Sequence, residues 1–249
     1  MDISASDIYR FYQSKLGSLV KRTIRQKIIS SIDETKHIDV CGYGYVSPYL
    51  SFINKHFPKS NVIEFRPDFL DGAVKETVDF NQKFIHEYFL PLEPSMVDVV
   101  VSTHLLELVE KPQSSIEEIW RILRPNGYFI SILPRRSGIW TRYDNNPFGF
   151  GRSYSSSQFK NLIDNYFVLD KKNSFLHFPP WGHYLNYKFY KTFENLGNHI
   201  FPYMGGLMVC VCKKIVYAKT TSTSKKIPIK KGLFIKTILA RSIYGEDVS

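Results

Sequence analysis

Apolar and polar positions change period along this chain. Between residues 5 and 30, Ile8, Phe11, Tyr12, Leu16, Val20, Ile24 and Ile28 recur every three or four residues, which predicts one helix with a basic opposite face. Ser4 stands where a cap belongs, and Gly17 is a weak helix former inside the span. From there the pattern alternates. Short apolar runs at 37–41, 61–65, 83–88, 97–102, 128–133, 167–171 and 207–217 read as strands. Helical spacing occupies 47–57, 69–81, 114–123, 155–166 and 184–196. Ser47 and Pro48 suit a cap and a first helical position, and Ser114-x-x-Glu117 and Ser155-x-x-Gln158 have the form of capping boxes. The VDVVVS run at 97–102 is apolar on both faces, as a buried parallel strand is. Alternation of this kind predicts an α/β fold with a mostly parallel sheet, right-handed crossovers and helices on both faces. Ligands in such sheets bind beyond the carboxyl ends of the strands.

Charge changes the picture in one place. The formal net charge is +10, yet 213–249 holds nine Lys or Arg against two acids, a net of +7, leaving +3 for the preceding 212 residues. The basic character belongs to a tail, read as flexible and solvated, whose candidate partners are nucleic acid or an anionic membrane surface. No run reaches the roughly 18–20 apolar residues of a membrane span, and MDISASDIYRFYQ lacks the form of a signal peptide. With three cysteines, a cytoplasmic setting is the expectation. Cys210 and Cys212 share one strand face and read as small buried hydrophobes rather than half a metal site, so no metal is expected.

Residues 97–134 carry the most specific pattern. Asp98 opens a strand, residues 102–107 form a loop, a helix ends in Trp120-Arg121-Ile122-Leu123, and Pro125-Asn126-Gly127 follows, with Leu90-Pro91-Leu92 upstream. In this order and spacing the elements resemble the fourth-to-fifth-strand region of class I S-adenosylmethionine-dependent methyltransferases of the type 11 kind. RRSGIWTRYDNNPFGFGRSYSSSQFKNLI, together with FYQSKLG at 11–17 and GYVSPYL at 44–50, is similar to an uncharacterised bacterial subfamily. The resemblance runs to about Tyr217. It implies a Rossmann-like, mostly parallel seven-stranded sheet, S-adenosylmethionine as cofactor, and methyl transfer to a small or medium acceptor. It divides the chain into an N-terminal helical segment (1–35), a methyltransferase domain (36–217) with an aromatic insertion at about 180–206, and the basic tail (218–249).

The same resemblance nominates site residues. The first loop of the family is an acid followed by Gly-x-Gly-x-Gly, because glycines let the backbone pass close under the cofactor. Here the segment is Asp39-Val40-Cys41-Gly42-Tyr43-Gly44-Tyr45-Val46-Ser47-Pro48. In one register Gly44 is the first motif glycine, with Val46 and Pro48 replacing the other two. In the other, Asp39 is the acid and Gly42 and Gly44 are the glycines. Gly42, Tyr43 and Gly44 are the expected cofactor contacts, with Glu64 toward the ribose, Glu87 or, one register on, Tyr88 toward the adenine, and Thr103 and His104 toward the amino-acid portion. A carboxylate suits the ribose hydroxyls as a strong acceptor. His104 is either a general base or a structural histidine. Arg136, Trp140, Arg142 and Tyr154 are the candidate acceptor contacts, since arginines mixed with aromatics suit anionic or planar molecules. The glycine-poor loop leaves two other readings open: a non-catalytic binding or regulatory module that has kept the fold, and an RNA methyltransferase that docks substrate on the tail.

Overall fold

The computed structural model describes residues 3–32, 38–70, 81–85, 88–180 and 187–214. Glu87, the helix expected at 69–81 beyond Leu70, the first residues of the one expected at 184–196, and the tail lie outside them. The strands are β1 (Asp39–Gly44), β2 (Asn61–Pro67), β3 (Asn81–Ile85), β4 (Val97–Thr103), β5 (Leu123–Pro134), β6 (Phe167–Phe175) and β7 (Leu207–Lys214). They form one seven-stranded sheet in the order β3-β2-β1-β4-β5-β7-β6. The five strands from β3 to β5 pair in parallel, and β7 runs antiparallel between β5 and β6. The fold is the expected Rossmann-like, mostly parallel architecture.

Helices α1 (Ala5–Gln13), α2 (Lys15–Ile29) and α3 (Ser47–His56) belong to one side of the sheet. Helices α4 (Pro112–Ile122) and α5 (Ser156–Ile163) belong to the other. Period-2 alternation on β1 sorts its side chains accordingly: Val40 joins the first core, and Cys41 and Tyr43 join the second. At Gly42 helix α3 comes so close that an added Cβ would lie 3.0 Å from Leu50 and 3.1 Å from Val46. Cys210 and Cys212 are buried as expected, and burial pushes the Cys210 thiol up to about 12. Asp98 serves the far end of the sheet, sharing the Arg124 guanidinium with Asp39 at 2.6 and 2.8 Å and accepting from the Asp39 N–H.

Several strand ends move by a few residues, β5 starting at Leu123 rather than 128, and three expected helix breaks or caps differ. The single helix at 5–30 is two helices broken at Ser14, which has extended backbone and caps α2 by accepting from the Gly17 N–H at 2.9 Å. Gly17 is what lets the two axes cross, since a Cβ there would fall 1.9 Å from the Phe11 carbonyl oxygen. The Ser114 capping box does not form, because α4 starts two residues earlier at Pro112, whose fixed φ suits the first turn. Ser47 is the first residue of α3 rather than its cap. Val46 holds the cap position with no side-chain bond, and the free N–H groups find another acceptor. The Ser155 capping box forms with Gln158 as expected.

Candidate cofactor site

The carboxyl ends of β1, β2 and β4 meet where the loop after Gly44 turns into α3. Gly44 has φ +106°, and a Cβ there would lie 2.4 Å from the Thr103 carbonyl oxygen, so the first turn needs glycine on two counts. The Tyr45 N–H donates to that same carbonyl at 2.9 Å, and Thr103 Oγ1 donates to the Tyr45 carbonyl at 2.6 Å. The exits of β1 and β4 are thereby tied together.

Glu64 faces this loop from β2. Its Oε1 accepts from the N–H groups of Val46 (2.9 Å) and Ser47 (2.8 Å), and its Oε2 from Ser47 Oγ (2.5 Å). An internal carboxylate therefore caps α3, where the helix dipole favours negative charge. Arg66, two residues on and on the same strand face, donates to Ser47 Oγ and lies 3.6 Å from Glu64 Oε1. Its guanidinium stacks over the Tyr45 ring at 4.4 Å. Both charged side chains are sealed off, Glu64 0% and Arg66 1% exposed. Burial raises the Glu64 carboxyl above its ordinary range, against the opposing pull of Arg66 and the three hydrogen bonds.

His104 follows β4 in the left-handed region, φ 50°. Its Nε2 lies 2.8 Å from the Tyr12 hydroxyl, and Tyr49 donates its own hydroxyl proton to Tyr12 at 2.6 Å. The His104 Nδ1 lies 3.5 Å from Glu107 Oε1, and the direction of the Tyr12–Nε2 hydrogen bond follows the ring tautomer. Phe148 stacks on the imidazole at 5.0 Å, Tyr12 stacks on Tyr45 at 6.5 Å, and Tyr45 meets His104 edge-on at 6.4 Å. All of these side chains, with Tyr43 and Val46, are buried. Burial pushes the Tyr12 phenol well above its usual range, so it stays neutral.

The expected acceptor contacts are not gathered in one place. Trp140 is buried and donates Nε1 to the Phe178 carbonyl at 2.7 Å in the core that holds α1 to α3. Tyr154 is buried in the opposite core, its hydroxyl on the Leu106 carbonyl at 2.7 Å. Arg136 and Arg142 are exposed. The site residues that the pattern did not single out are Tyr12, Tyr49 and Arg66. A same-face Glu-x-Arg on β2 is a visible signal for a strand-borne ion pair, whereas Tyr12 in α1 and Tyr49 in α3 reach His104 only through tertiary packing. Outside the aromatic cluster, a cleft of about 610 Å³ opens between α1 and the Asp144–Phe150 stretch, with Asp7, Arg10, Phe11, Asn146 and Phe150 in its wall.

Comparison with known proteins places the chain. A family model described as "Methyltransferase domain" matches residues 38–131. By fold, the domain is built as the class I S-adenosylmethionine-dependent methyltransferases are. No curated protein matches the chain. Among solved structures, a methyltransferase from Archaeoglobus fulgidus is 13% identical over 79% of this chain and 94% of its own, with a TM-score of 0.56. One from Thermotoga maritima is 14% identical over 83% and 94%, at 0.54. Geranyl diphosphate C-methyltransferase from Streptomyces coelicolor, solved with Mg2+, geranyl diphosphate and S-adenosyl-L-homocysteine, is 13% identical over 78% and 79%, at 0.54.

The domain can be tested for room. A cofactor lying on this loop needs open surface at Gly42, Gly44, Thr103 and His104 and a free carboxylate on β2. In this domain those four residues are buried beneath other side chains, and both Glu64 oxygens are bonded to the loop itself. The residues present, so arranged, do not fit S-adenosylmethionine at that place. Among the described residues there is also no cluster of ligands for a metal ion.

Proposed function

We propose that this chain is a non-catalytic binding module built on the methyltransferase fold. One observation carries the reading: the family's cofactor cradle is occupied from within, by Glu64 on the N-terminus of α3 and by Tyr12, Tyr45, His104 and Phe148 above it. Val46 and Pro48, standing where one register puts glycines, agree with it. The surface such a module offers to a small molecule is the cleft over α1, whose volume lies in the usual range for ligand pockets.

A second reading, S-adenosylmethionine-dependent methyl transfer to a small acceptor, is favoured by the family match over residues 38–131. It requires Tyr12 and Tyr45 to leave their buried positions. Titration calorimetry with S-adenosylmethionine separates the two. The first predicts no binding heat up to millimolar ligand; a saturable isotherm would return the assignment to the enzyme. An RNA-directed enzyme would in addition bind RNA with a steep salt dependence.

A further inference from the structure

The helix α6 (Tyr187–Ile200) turns one edge inward and leaves the wrong one outside. Tyr190, Glu194 and Gly197 face the body of the domain, and Gly197 packs so tightly that a Cβ would lie 2.3 Å from the His177 Cβ. A different stripe, Phe193, Leu196 and Ile200, points to solvent and continues into Phe201, Tyr203 and Met204. These six large apolar side chains are 45–68% exposed within twelve residues. Isolated exposed apolar residues need no explanation, but a contiguous patch of this kind marks an interaction surface.

Charge identifies the partner. From Lys171 to Gly245 the sequence has thirteen Lys or Arg and a single acid, Glu194. That acid is turned inward, where it accepts from the N–H groups of Leu176 and His177 at 2.9 Å each. Among the described residues after Asp170 no other acid occurs, so the stretch that carries the stripe has no outward carboxylate. Lys191 and His199 are exposed on the polar side of α6. Arg135 lies under the Tyr203 ring at 5.9 Å, and Arg136 is exposed next to it. A helix lying on the surface with Phe, Leu and Ile on one face and exposed cations at Lys191 and Arg136 has the makeup of an interfacial membrane helix. Phosphates of nucleic acid would attract the cations but gain nothing from a half-exposed aliphatic stripe. We infer that α6 and the loop 201–204 form a docking face for an anionic lipid bilayer, with the apolar stripe entering the headgroup region and the cations meeting the lipid phosphates.

Vesicle co-sedimentation of the full chain tests this. The chain is expected to pellet with vesicles of phosphatidylcholine mixed with phosphatidylglycerol, and to stay in solution with phosphatidylcholine alone or at high salt. The triple variant Phe193→Ser, Leu196→Ser, Ile200→Ser should bind anionic vesicles about tenfold more weakly or worse. The control Phe89→Ser, Met96→Ser, which removes exposed apolar groups elsewhere, should bind as the parent does, and circular dichroism should show all three chains folded. The inference is overturned if the parent ignores anionic vesicles, if the triple variant pellets as well as the parent, or if light scattering shows a dimer that the triple variant abolishes.

Discussion

At the scale of single residues the site is an arrangement of buried polar groups, and its energetics follow from what each would lose. Glu64 keeps its charge in the interior only because Arg66 and three donors face it. Arg66→Met should destabilise the fold by about 3–5 kcal/mol in urea denaturation, since a buried carboxylate without its partner is costly. Adding Glu64→Gln should recover part of that loss. A cost below about 1 kcal/mol for Arg66→Met would mean that the pair is not buried as described. The raised Glu64 carboxyl also has a pH signature. Its native state holds the proton to higher pH than the unfolded chain does, so its contribution is complete below the ordinary carboxylate range and fades as pH rises through the folded value. Stability measured across mildly acidic to neutral pH should therefore fall less steeply with rising pH in Glu64→Gln than in the parent. The sequence made Gly44, Glu64, Thr103 and His104 visible as neighbours through their places at strand ends. It did not show that Glu64 turns to the loop backbone, because that depends on Val46 and Ser47 presenting unbonded N–H groups, a consequence of Ser47 starting α3 instead of capping it.

At the scale of elements, hydrophobic period fixed type and order more reliably than ends. Strand β4 and the capped helix α5 begin where the apolar run and the Ser155 box put them, whereas β1 lies at Asp39–Gly44 rather than 37–41 and β5 begins at Leu123 rather than 128. The helix boundaries that moved have local causes: Pro112 pulls the start of α4 forward, and Ser14 with Gly17 divides what period alone reads as one helix. That division sets the direction of α1 and so delivers Tyr12 to His104. Gly17→Ala would force a Cβ against the Phe11 carbonyl at the crossing. It should lower stability by about 1–3 kcal/mol, the usual range for overpacking. Hydrogen exchange should show the amides of α1 protected less than in the parent, while those of β4 and β5 keep their protection. Uniform loss over the whole sheet would contradict a local role for the break.

At the scale of the whole molecule, the described residues belong to one compact unit, Met1–Tyr217. A chain ended after Tyr217 should unfold cooperatively with a Tm within a few degrees of the parent's, as expected of a unit with a core of its own. A large drop would place part of the core beyond it. No helix among the described residues is long and apolar enough to cross a membrane. The fold supplies the seven-stranded frame and the turn at Gly44, and the side chains above that turn supply a filling of their own. A crystal structure determined with saturating S-adenosylmethionine examines that filling directly. The account predicts Glu64 on the Val46 and Ser47 N–H groups, Tyr12 bonded to His104, and no nucleoside between Gly42 and His104. Clear density for the nucleoside there, with Tyr12 and Tyr45 swung away, would contradict it.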